Sequence, residues 1–217
     1  MIYTDSGTLT VHTDEHTWTV PPRRALWMPD GLGATVHNRY PVAVRTLYFA
    51  VALGAMNSGA RSIVLAGFAR HLLLYVVRVC PLDVTDQGQR ALLTVLIDQL
   101  RNLPDTPLGL PSPRDPTTRT AAELIRASPA TAASAAARAV GMSHRTLQRR
   151  FVAETGMTLA AWHRRARILD SLEPLAAGAS VTHASAHAGY STPSAFVAAF
   201  TRELGQTPLG FMRRPQT

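Results

Sequence analysis

Hydrophobic and polar residues alternate with a period of two over residues 1–51 and follow a helical period over most of the remaining chain. The alternation predicts short β-strands. We expect them around Leu9–Val11 and Trp18–Val20, with a final strand over Val42–Phe49. Apolar residues spaced three and four apart predict helices over Ser62–Val79 and Asp86–Leu103. The pattern therefore predicts an α+β fold.

Prolines crowd the segment that follows, at positions 104, 107, 111, 113 and 116. Dense proline resists both helix and sheet, so residues 104–115 are predicted to be a linker. Asp115 is suited to cap a new helix, with Pro116 at its first position. This helix should run to about Ala127, with Ala121, Leu124 and Ile125 inward, before Ser128 and Pro129 stop it. An alanine-rich helix is expected over 132–140.

The most informative feature is an internal repeat, in which Gly141–Phe151 is echoed by Gly189–Phe200. In each copy a glycine can end one helix with a positive φ. A serine, Ser143 or Ser191, is then placed to cap the next helix. The parallel continues to Gly156 and Gly205, one after each phenylalanine segment. Two helix-turn-helix units are predicted.

The second helix of the first unit, Ser143–Thr155, has two chemically different faces. Leu147 and Phe151 share one side, with Arg150 near it, while Arg145, Gln148 and Arg149 share the other. A charged helix face is commonly only solvated. In a helix-turn-helix context, however, arginine can bind guanine and glutamine can bind adenine in the major groove. We therefore interpret this face as base-reading.

The second unit carries different residues at the matching positions, which are Ser194, Val197 and Ala198. None of them can make a bidentate base contact. We expect this helix to dock through Thr192, Ser194 and backbone N–H groups on phosphate, with Ala195 or Ala198 against a thymine methyl. Specificity should rest on the first unit.

A helix over 159–177, capped by Thr158, should join the two units. At about 1.5 Å per residue its length is about 28 Å, close to the roughly 34 Å between successive major grooves on one side of DNA. Pro174 is expected to distort its last turn. Basic residues in or beyond this helix are candidates for phosphate contact or simple solubility: Arg164, Arg165, Arg167, Arg213 and Arg214.

The net charge of +8 is uneven, with +1 in residues 1–110 and +7 in residues 111–217. This places the binding of an acidic partner in the C-terminal half. Cys80 is the only cysteine, which excludes an internal disulfide, and we expect it to be a buried core residue in a reducing cytoplasm. The N-terminus lacks a secretory pattern, and charged residues interrupt the most apolar run, so no membrane association is expected.

Residues 29–38 resemble the second sequence motif of cupin barrels, Pro-x-Gly-x-x-His-x-x-x-Asn. Ala34 stands at the metal-binding histidine position. His37 lies three residues along and should point to the other face. No metal or other cofactor is therefore expected, and His12 and His16 are predicted to be surface residues. The segment makes only part of a barrel, so we expect an N-terminally shortened form with strand edges to cover.

The two predicted helices before the linker can be interpreted in two ways. They are either a core pair that covers the strands, or a dimer interface with more apolar surface than the pair can bury together. We favour a homodimer.

From about Leu110 onward, Ser143–Gly156, Gly189–Phe200 and Gly205–Pro208 resemble the C-terminal region of AraC/XylS-type transcriptional regulators. Pro22–Phe49 resembles the tail of the cupin sensor domain that many members carry. The resemblance implies an all-helical DNA-binding domain that binds direct-repeat promoter sites, often as a dimer, and answers to a small effector. It places the family's base-reading positions on Arg145, Gln148 and Arg149 in the first unit, and on Pro193, Ser194, Ala195 and Ala198 in the second.

This sequence departs from the family pattern at a few positions. Ala133 and Ala136 replace larger apolar residues, and Ser185 replaces the usual alanine of the second turn. The shortened effector domain puts ligand response in doubt.

The combined prediction is a partial cupin-like antiparallel β domain (1–54), a helical dimerisation segment (55–103), a linker (104–115) and a double helix-turn-helix domain joined by a long helix (116–217). The expected function is a sequence-specific transcriptional regulator that reads promoter DNA mainly through the first helix-turn-helix unit, and we expect it to be an activator. Its expected partners are two successive major grooves of double-stranded DNA, a second copy and a small effector, with RNA polymerase as a further candidate. The expected DNA-binding residues are Ser143, His144, Arg145, Gln148, Arg149, Arg164, Arg165, Thr192, Pro193, Ser194, Ala195 and Ala198.

Two other classes stay open. A cupin oxygenase or isomerase would need the missing metal ligands. A dimerising form that titrates a full-length partner would have no DNA affinity of its own.

Overall fold

A computed structural model describes residues 1–50, 59–127 and 132–213. In these ranges the strands are β1 (Ile2–Ser6), β2 (Leu9–His12), β3 (His16–Val20), β4 (Arg24–Trp27), β5 (Thr35–His37), β6 (Ala43–Thr46), β7 (Arg61–Val64) and β8 (Gly109–Pro111). The helices are α1 (Gly67–Val79), α2 (Gln87–Asn102), α3 (Pro116–Ala127), α4 (Ala133–Ala139), α5 (His144–Thr155), α6 (Leu159–Asp170), α7 (Leu172–Ala176), α8 (Val181–His187), α9 (Pro193–Leu204) and α10 (Pro208–Met212). The α+β prediction is confirmed. No helix within the described ranges is long and apolar enough to span a bilayer.

The N-terminal strands form two antiparallel sheets, ordered β6-β1-β4-β7 and β5-β2-β3-β8. The period-two pattern explains the core between them. Leu9 pairs across from Val20, and Val11 from Trp18, so these four side chains share one face. They are buried together with Leu26 of the other sheet.

Helices α1 and α2 cover the opposite face of the first sheet. Tyr3, Ala25 and Ile63 lie in register across that sheet and are buried against Leu73 and Leu96 of the two helices. Asp86 caps α2 by accepting a hydrogen bond from the N–H of Gln89. The predicted Asp86–Leu103 helix is thus confirmed, and the inner faces of the pair serve as core.

The predicted helix over Ser62–Val79 is wrong at its start. Ser62, Ile63 and Val64 belong to β7, which pairs antiparallel with β4. Branched side chains favour a pleated strand. Leu65 and Ala66 separate this strand from α1, whose first residue, Gly67, has φ of +50°. The apolar run therefore contains a strand and a helix. Its residues are almost all hydrophobic, so they fit the period of a strand as well as the period of a helix.

The predicted linker is packed rather than free. Its residues Gly109–Pro111 form β8, which pairs with β3 at the edge of the second sheet. An edge strand tolerates proline because one side of its backbone needs no partner strand. Leu108 and Leu110 are also buried in the core of the C-terminal helices. The sheets therefore extend beyond the predicted boundaries at residue 54 and over residues 104–115. β7 completes the first sheet, and β8 completes the second.

Several single-residue predictions also need correction. The strand predicted over Val42–Phe49 spans only Ala43–Thr46. Cys80 is exposed, because it follows the last turn of α1 beyond the packed face. Leu124 is 38% exposed, since α3 turns only Thr118, Ala121, Ala122 and Ile125 inward.

Two histidines are less exposed than predicted. His12 and His16 are half-buried rather than fully on the surface. His12 Nδ1 lies 3.0 Å from Thr17 Oγ1, and the His16 ring lies 5.3 Å from the Trp18 ring. The stop predicted at Ser128 and Pro129 lies outside the described residues.

Helices α3 to α10 surround one core that contains Phe151, Trp162, Phe196, Phe200 and Phe211. The single long helix predicted over 159–177 is wrong. It is two helices, α6 and α7, that meet at Ser171. Pro174 explains the interruption, because proline has no N–H to donate to the carbonyl four residues earlier. At about 1.5 Å per residue, α6 alone is about 18 Å long.

The two halves of the molecule contact each other directly. Trp162 Nε1 donates to the carbonyl of Pro111 at 2.7 Å. The guanidinium of Arg24 in β4 lies 4.5 Å from the centre of the Phe211 ring in α10. Burial lowers the pKa of Arg24 to about 10. The sheets and the helical domain thus contact each other through β8 of the second sheet and β4 of the first.

Candidate nucleic-acid interface

The first helix-turn-helix unit is built by α4 and α5. Gly141 follows α4 with φ of +71°, and the N–H of Met142 donates back to the carbonyl of Ala137 at 2.9 Å. This closes the helix end in the way that a left-handed residue permits. Ser143 then accepts a hydrogen bond from the N–H of Thr146 at 3.1 Å. The predicted cap of α5 is confirmed.

Helix α5 has one buried and one exposed face. Leu147 and Phe151 have no exposed surface, and the Phe151 ring meets the Trp162 ring edge to face at 5.2 Å. Arg145, Gln148 and Arg149 are all exposed, and they line an open concavity together with Thr146. Ser143 and His144 are exposed at the start of the helix. The structure brings together the residues that the sequence placed on one face.

The second unit is built by α8 and α9 with a different cap from the one predicted. Gly189 has φ of +70°, and the N–H of Tyr190 donates to the carbonyl of Ser185 at 3.0 Å. Thr192, not Ser191, accepts the hydrogen bond from the N–H of Ala195, at 3.3 Å. Pro193 follows at the first helical position, where its missing N–H costs nothing. The turn of the second unit is therefore one residue longer.

The outer face of α9 carries small, uncharged residues from its N-terminus to Ala198. Thr192, Pro193, Ser194, Ala195 and Ala198 are exposed, whereas Val197 is half-buried. Phe196 and Phe200 are fully buried on the other side, where their rings lie 5.6 Å apart. The two units therefore present the same scaffold with different surface chemistry.

The arginines of α6 contact the protein itself. Arg164 Nε pairs with Glu203 of α9 at 2.9 Å. Arg165 donates to the carbonyl of Pro107 at 3.0 Å, and burial lowers its pKa. The predicted phosphate contacts of these two residues stay predictions, and the structure gives both guanidinium groups internal partners.

Arg167 has an internal role that the sequence analysis missed. Its guanidinium donates to the carbonyls of Ala188 and Gly189, and it lies 4.2 Å from the centre of the Tyr190 ring. The residue thus holds the turn of the second unit against α6. Arg213 is exposed beyond α10, and Arg214 lies outside the described residues.

Glutamates at matching places in the two repeats were also missed. Glu154 and Glu203 each lie three residues after the core phenylalanine of their unit. Glu154 accepts hydrogen bonds from residues at the start of α3, and Glu203 pairs with Arg164. Alignment of the two repeats could have revealed their role, because it shows a glutamate at the same position in both units although the exposed faces differ.

A cleft between the second sheet and the helical domain collects charged and titratable groups. Its walls include His12 and His37 from the sheets and the Arg126–Asp170 pair, whose closest atoms are 2.6 Å apart. Burial, followed by the charges of Arg126 and His37, lowers the pKa of His12. Across the described ranges, no three histidine, cysteine or acidic side chains are grouped so that they could hold a metal ion.

Comparison with known proteins gives the family of the helical part. The family described as Helix-turn-helix domain matches residues 136–214. The HTH-type transcriptional regulator NimR of Escherichia coli K12 is 27% identical over 213 residues, which cover 97% of this chain and 78% of NimR. The regulator RipA of Corynebacterium diphtheriae is 39% identical over 70 residues, 32% of this chain and 21% of RipA.

Solved structures were also compared. Fatty-acid-bound ToxT from Vibrio cholerae aligns with 99% of this chain and 88% of ToxT, at 9% identity and a TM-score of 0.44. The C-terminal domain of AraT from Geobacillus stearothermophilus aligns with 47% of this chain and 89% of that domain, at 20% identity and a TM-score of 0.43. The family match falls on the two units built by α4–α5 and α8–α9. Residues 136–214 thus form a helix-turn-helix domain, and nearly the whole chain is similar to a DNA-binding transcriptional regulator of the HTH type.

Proposed function

We propose that the chain recognises its promoter site mainly through α5, while α9 docks on a neighbouring groove through Thr192, Ser194 and backbone N–H groups. The observation that carries this is the contrast between the two exposed faces. Arg145, Gln148 and Arg149 can form bidentate contacts with base edges, and Ser194, Ala195 and Ala198 cannot. The C-terminal excess of arginine supports the electrostatic part of binding.

The test is selection from a random duplex pool, followed by sequencing, for the wild type and for Arg149→Ala. Loss of one bidentate contact should cost about 1–3 kcal/mol and relax the preference at the bases that Arg149 reads. Arg90→Ala is the matched control, because Arg90 is exposed on α2 and its removal changes the charge equally. Binding that depends on salt alone, with no selected motif, would contradict this assignment of the reading face.

A converse variant tests the second unit. Ala198→Arg places a guanidinium on the exposed face of α9, and it should add base preference in the second half of the selected motif. An unchanged second half-site would contradict the docking of α9 in a major groove.

The sheets and the first two helices suit a sensor and dimerisation module. We propose a cupin-like sensor that responds to a small effector in the cytoplasm. The two sheets and their shared apolar core support this assignment. No enzymatic activity is proposed for it.

The homodimer proposal rests on the outer face of α1. Phe68 and Tyr75 lie seven residues apart on this helix and are 61% and 52% exposed. Large apolar side chains aligned on one helix face mark interaction surfaces. Sedimentation equilibrium of the full chain gives the oligomeric state, and a monomer at micromolar concentration would contradict the proposal.

A further inference from the structure

The start of α3 is held against the end of α5 by a group of four polar residues. The backbone N–H of Asp115 donates to Glu154 Oε2 at 3.0 Å. The hydroxyl of Thr118, a fully buried residue, lies 3.2 Å from Glu154 Oε1 and 3.0 Å from Asp115 Oδ1. Arg150 Nη1 lies 3.4 Å from Asp115 Oδ1. Glu154 therefore joins α5 both to the cap of α3 and to the backbone that precedes it.

That backbone leads directly back to the second sheet. The N–H of Ser112 donates to the carbonyl of Glu15 at 2.8 Å, just after β8 ends at Pro111. Arg119 Nε donates to the carbonyl of Pro113 at 3.0 Å. Hydrogen bonds thus hold the backbone at Ser112 and Pro113, shortly before Asp115. The carboxylate of Glu154 binds a backbone group whose position is already set.

The second unit supports a common role for the two glutamates. Glu203 occupies the same place after Phe200 that Glu154 occupies after Phe151, and it anchors α9 to Arg164 of α6. The partners differ in chemistry, but each glutamate ties the second helix of its unit to a helix earlier in the chain, α3 for Glu154 and α6 for Glu203. An anchor near the helix end helps to fix the direction in which the outer face points, because a hydrogen bond is directional and apolar packing is not.

We propose that Glu154 is a positioning residue for DNA recognition by α5, acting through Asp115 and Thr118 rather than by touching DNA. This inference rests on the proposed function, in which α5 reads bases.

The test compares Glu154→Gln with the wild type in binding to the selected duplex and to a random duplex. Glutamine has a single accepting oxygen and no charge, so the charge-assisted hydrogen bonds of Glu154 with the Asp115 N–H and the Thr118 hydroxyl become weaker neutral ones. The ratio of selected to random affinity should fall about tenfold. All base positions read by α5 should weaken together, because the whole helix is displaced.

Matched variants separate positioning from stability and from charge. A simple loss of folded protein lowers binding to both duplexes equally and leaves the ratio unchanged. Glu123→Gln removes the same charge from an exposed position of α3 and should keep the ratio. Thr118→Val should lower the ratio about threefold, whereas Thr118→Ser, which keeps the hydroxyl, should restore it.

The outcomes are distinguishable. An unchanged ratio in folded Glu154→Gln overturns the positioning role, even when the wild type selects a clear motif. If the wild type selects no motif, the proposed function fails instead. The anchor is then measured by amide hydrogen exchange over residues 144–155, which Glu154→Gln should accelerate about tenfold, and unchanged exchange overturns the inference.

Discussion

The two helix-turn-helix units have nearly the same interior and very different exteriors. In both, a positive-φ glycine ends the first helix, a hydroxyl side chain caps the second, and a phenylalanine with no exposed surface anchors it. Outside, α5 carries Arg145, Gln148 and Arg149, whereas α9 carries Ser194, Ala195 and Ala198 at its surface. The comparison teaches that packing sets the shape of each unit, while the exposed face remains free to take another role.

The interiors also differ in one useful respect, the number of aromatic neighbours. Phe200 lies between Phe196 and Phe211, at ring distances of 5.6 and 5.7 Å, and Phe211 in turn carries the guanidinium of Arg24. Phe151 meets the Trp162 ring at 5.2 Å and small alanines of α4 lie in the same core. The second unit therefore depends more on aromatic packing and on contact with the N-terminal sheets.

The largest effect should come from emptying these two core positions. Phe200→Ala and Phe151→Ala should each cost about 3–5 kcal/mol of unfolding free energy, because both leave a cavity in a packed core. Phe200→Ala should cost about 1 kcal/mol more, since an aromatic pair contributes about 0.5–1.5 kcal/mol beyond its buried area. Urea denaturation measures both values.

Phe200→Leu and Phe151→Leu serve as controls that keep much of the volume. A larger loss for Phe151→Ala than for Phe200→Ala would contradict the claim that the second unit depends more on aromatic packing.

The sequence was sufficient to predict local structure where a residue type has a single structural role at its position. The glycine, Ser143, Leu147 and Phe151 of the first unit could be assigned correctly because each satisfies a fixed local need. The helix over 62–79 was wrong at its start because an uninterrupted apolar run fits a buried strand as well as a helix. The packed linker was missed because β8 is stabilised by its pairing with β3, a contact that no local pattern reveals.

The site residues divide in the same way. Exposed faces of α5 and α9 follow from helical periodicity, which is a local property. The partners of Arg164, Arg165 and Arg167 depend on distant backbone carbonyls and on Glu203, so composition alone suggested solvent or phosphate. A basic residue on a helix between two packed units has many internal acceptors within reach, and only the tertiary structure selects among them.

A smaller effect should follow from Arg167→Met, which keeps the apolar stem over Tyr190 and removes the donors to Ala188 and Gly189. We expect a loss of about 1.5–3 kcal/mol in unfolding free energy, the usual range for hydrogen bonds to a charged group. Arg138→Met is the matched control, because Arg138 is exposed on α4 of the first unit.

Salt dependence separates this role from the phosphate contact considered from the sequence. If Arg167 contacted a phosphate, Arg167→Met would lower the salt slope of DNA binding by about one and leave stability unchanged. That pair of results would contradict the role of Arg167 in holding the second turn.

The smallest effect concerns the N-cap of α9. The alignment of the two repeats favours Thr192, whereas the preference for serine at an N-cap favours Ser191. Ser143 lies eight residues before Phe151, and Thr192 lies eight residues before Phe200, whereas Ser191 lies nine before it. Pro193 agrees with Thr192, because proline suits the first helical position. Thr192→Ala should therefore cost about 1 kcal/mol, as Ser143→Ala should, while Ser191→Ala should cost less than about 0.5 kcal/mol. Thermal and urea unfolding of the three variants measures these losses. A larger loss for Ser191→Ala than for Thr192→Ala would identify Ser191 as the cap of α9, and the turns of the two units would then be equal in length.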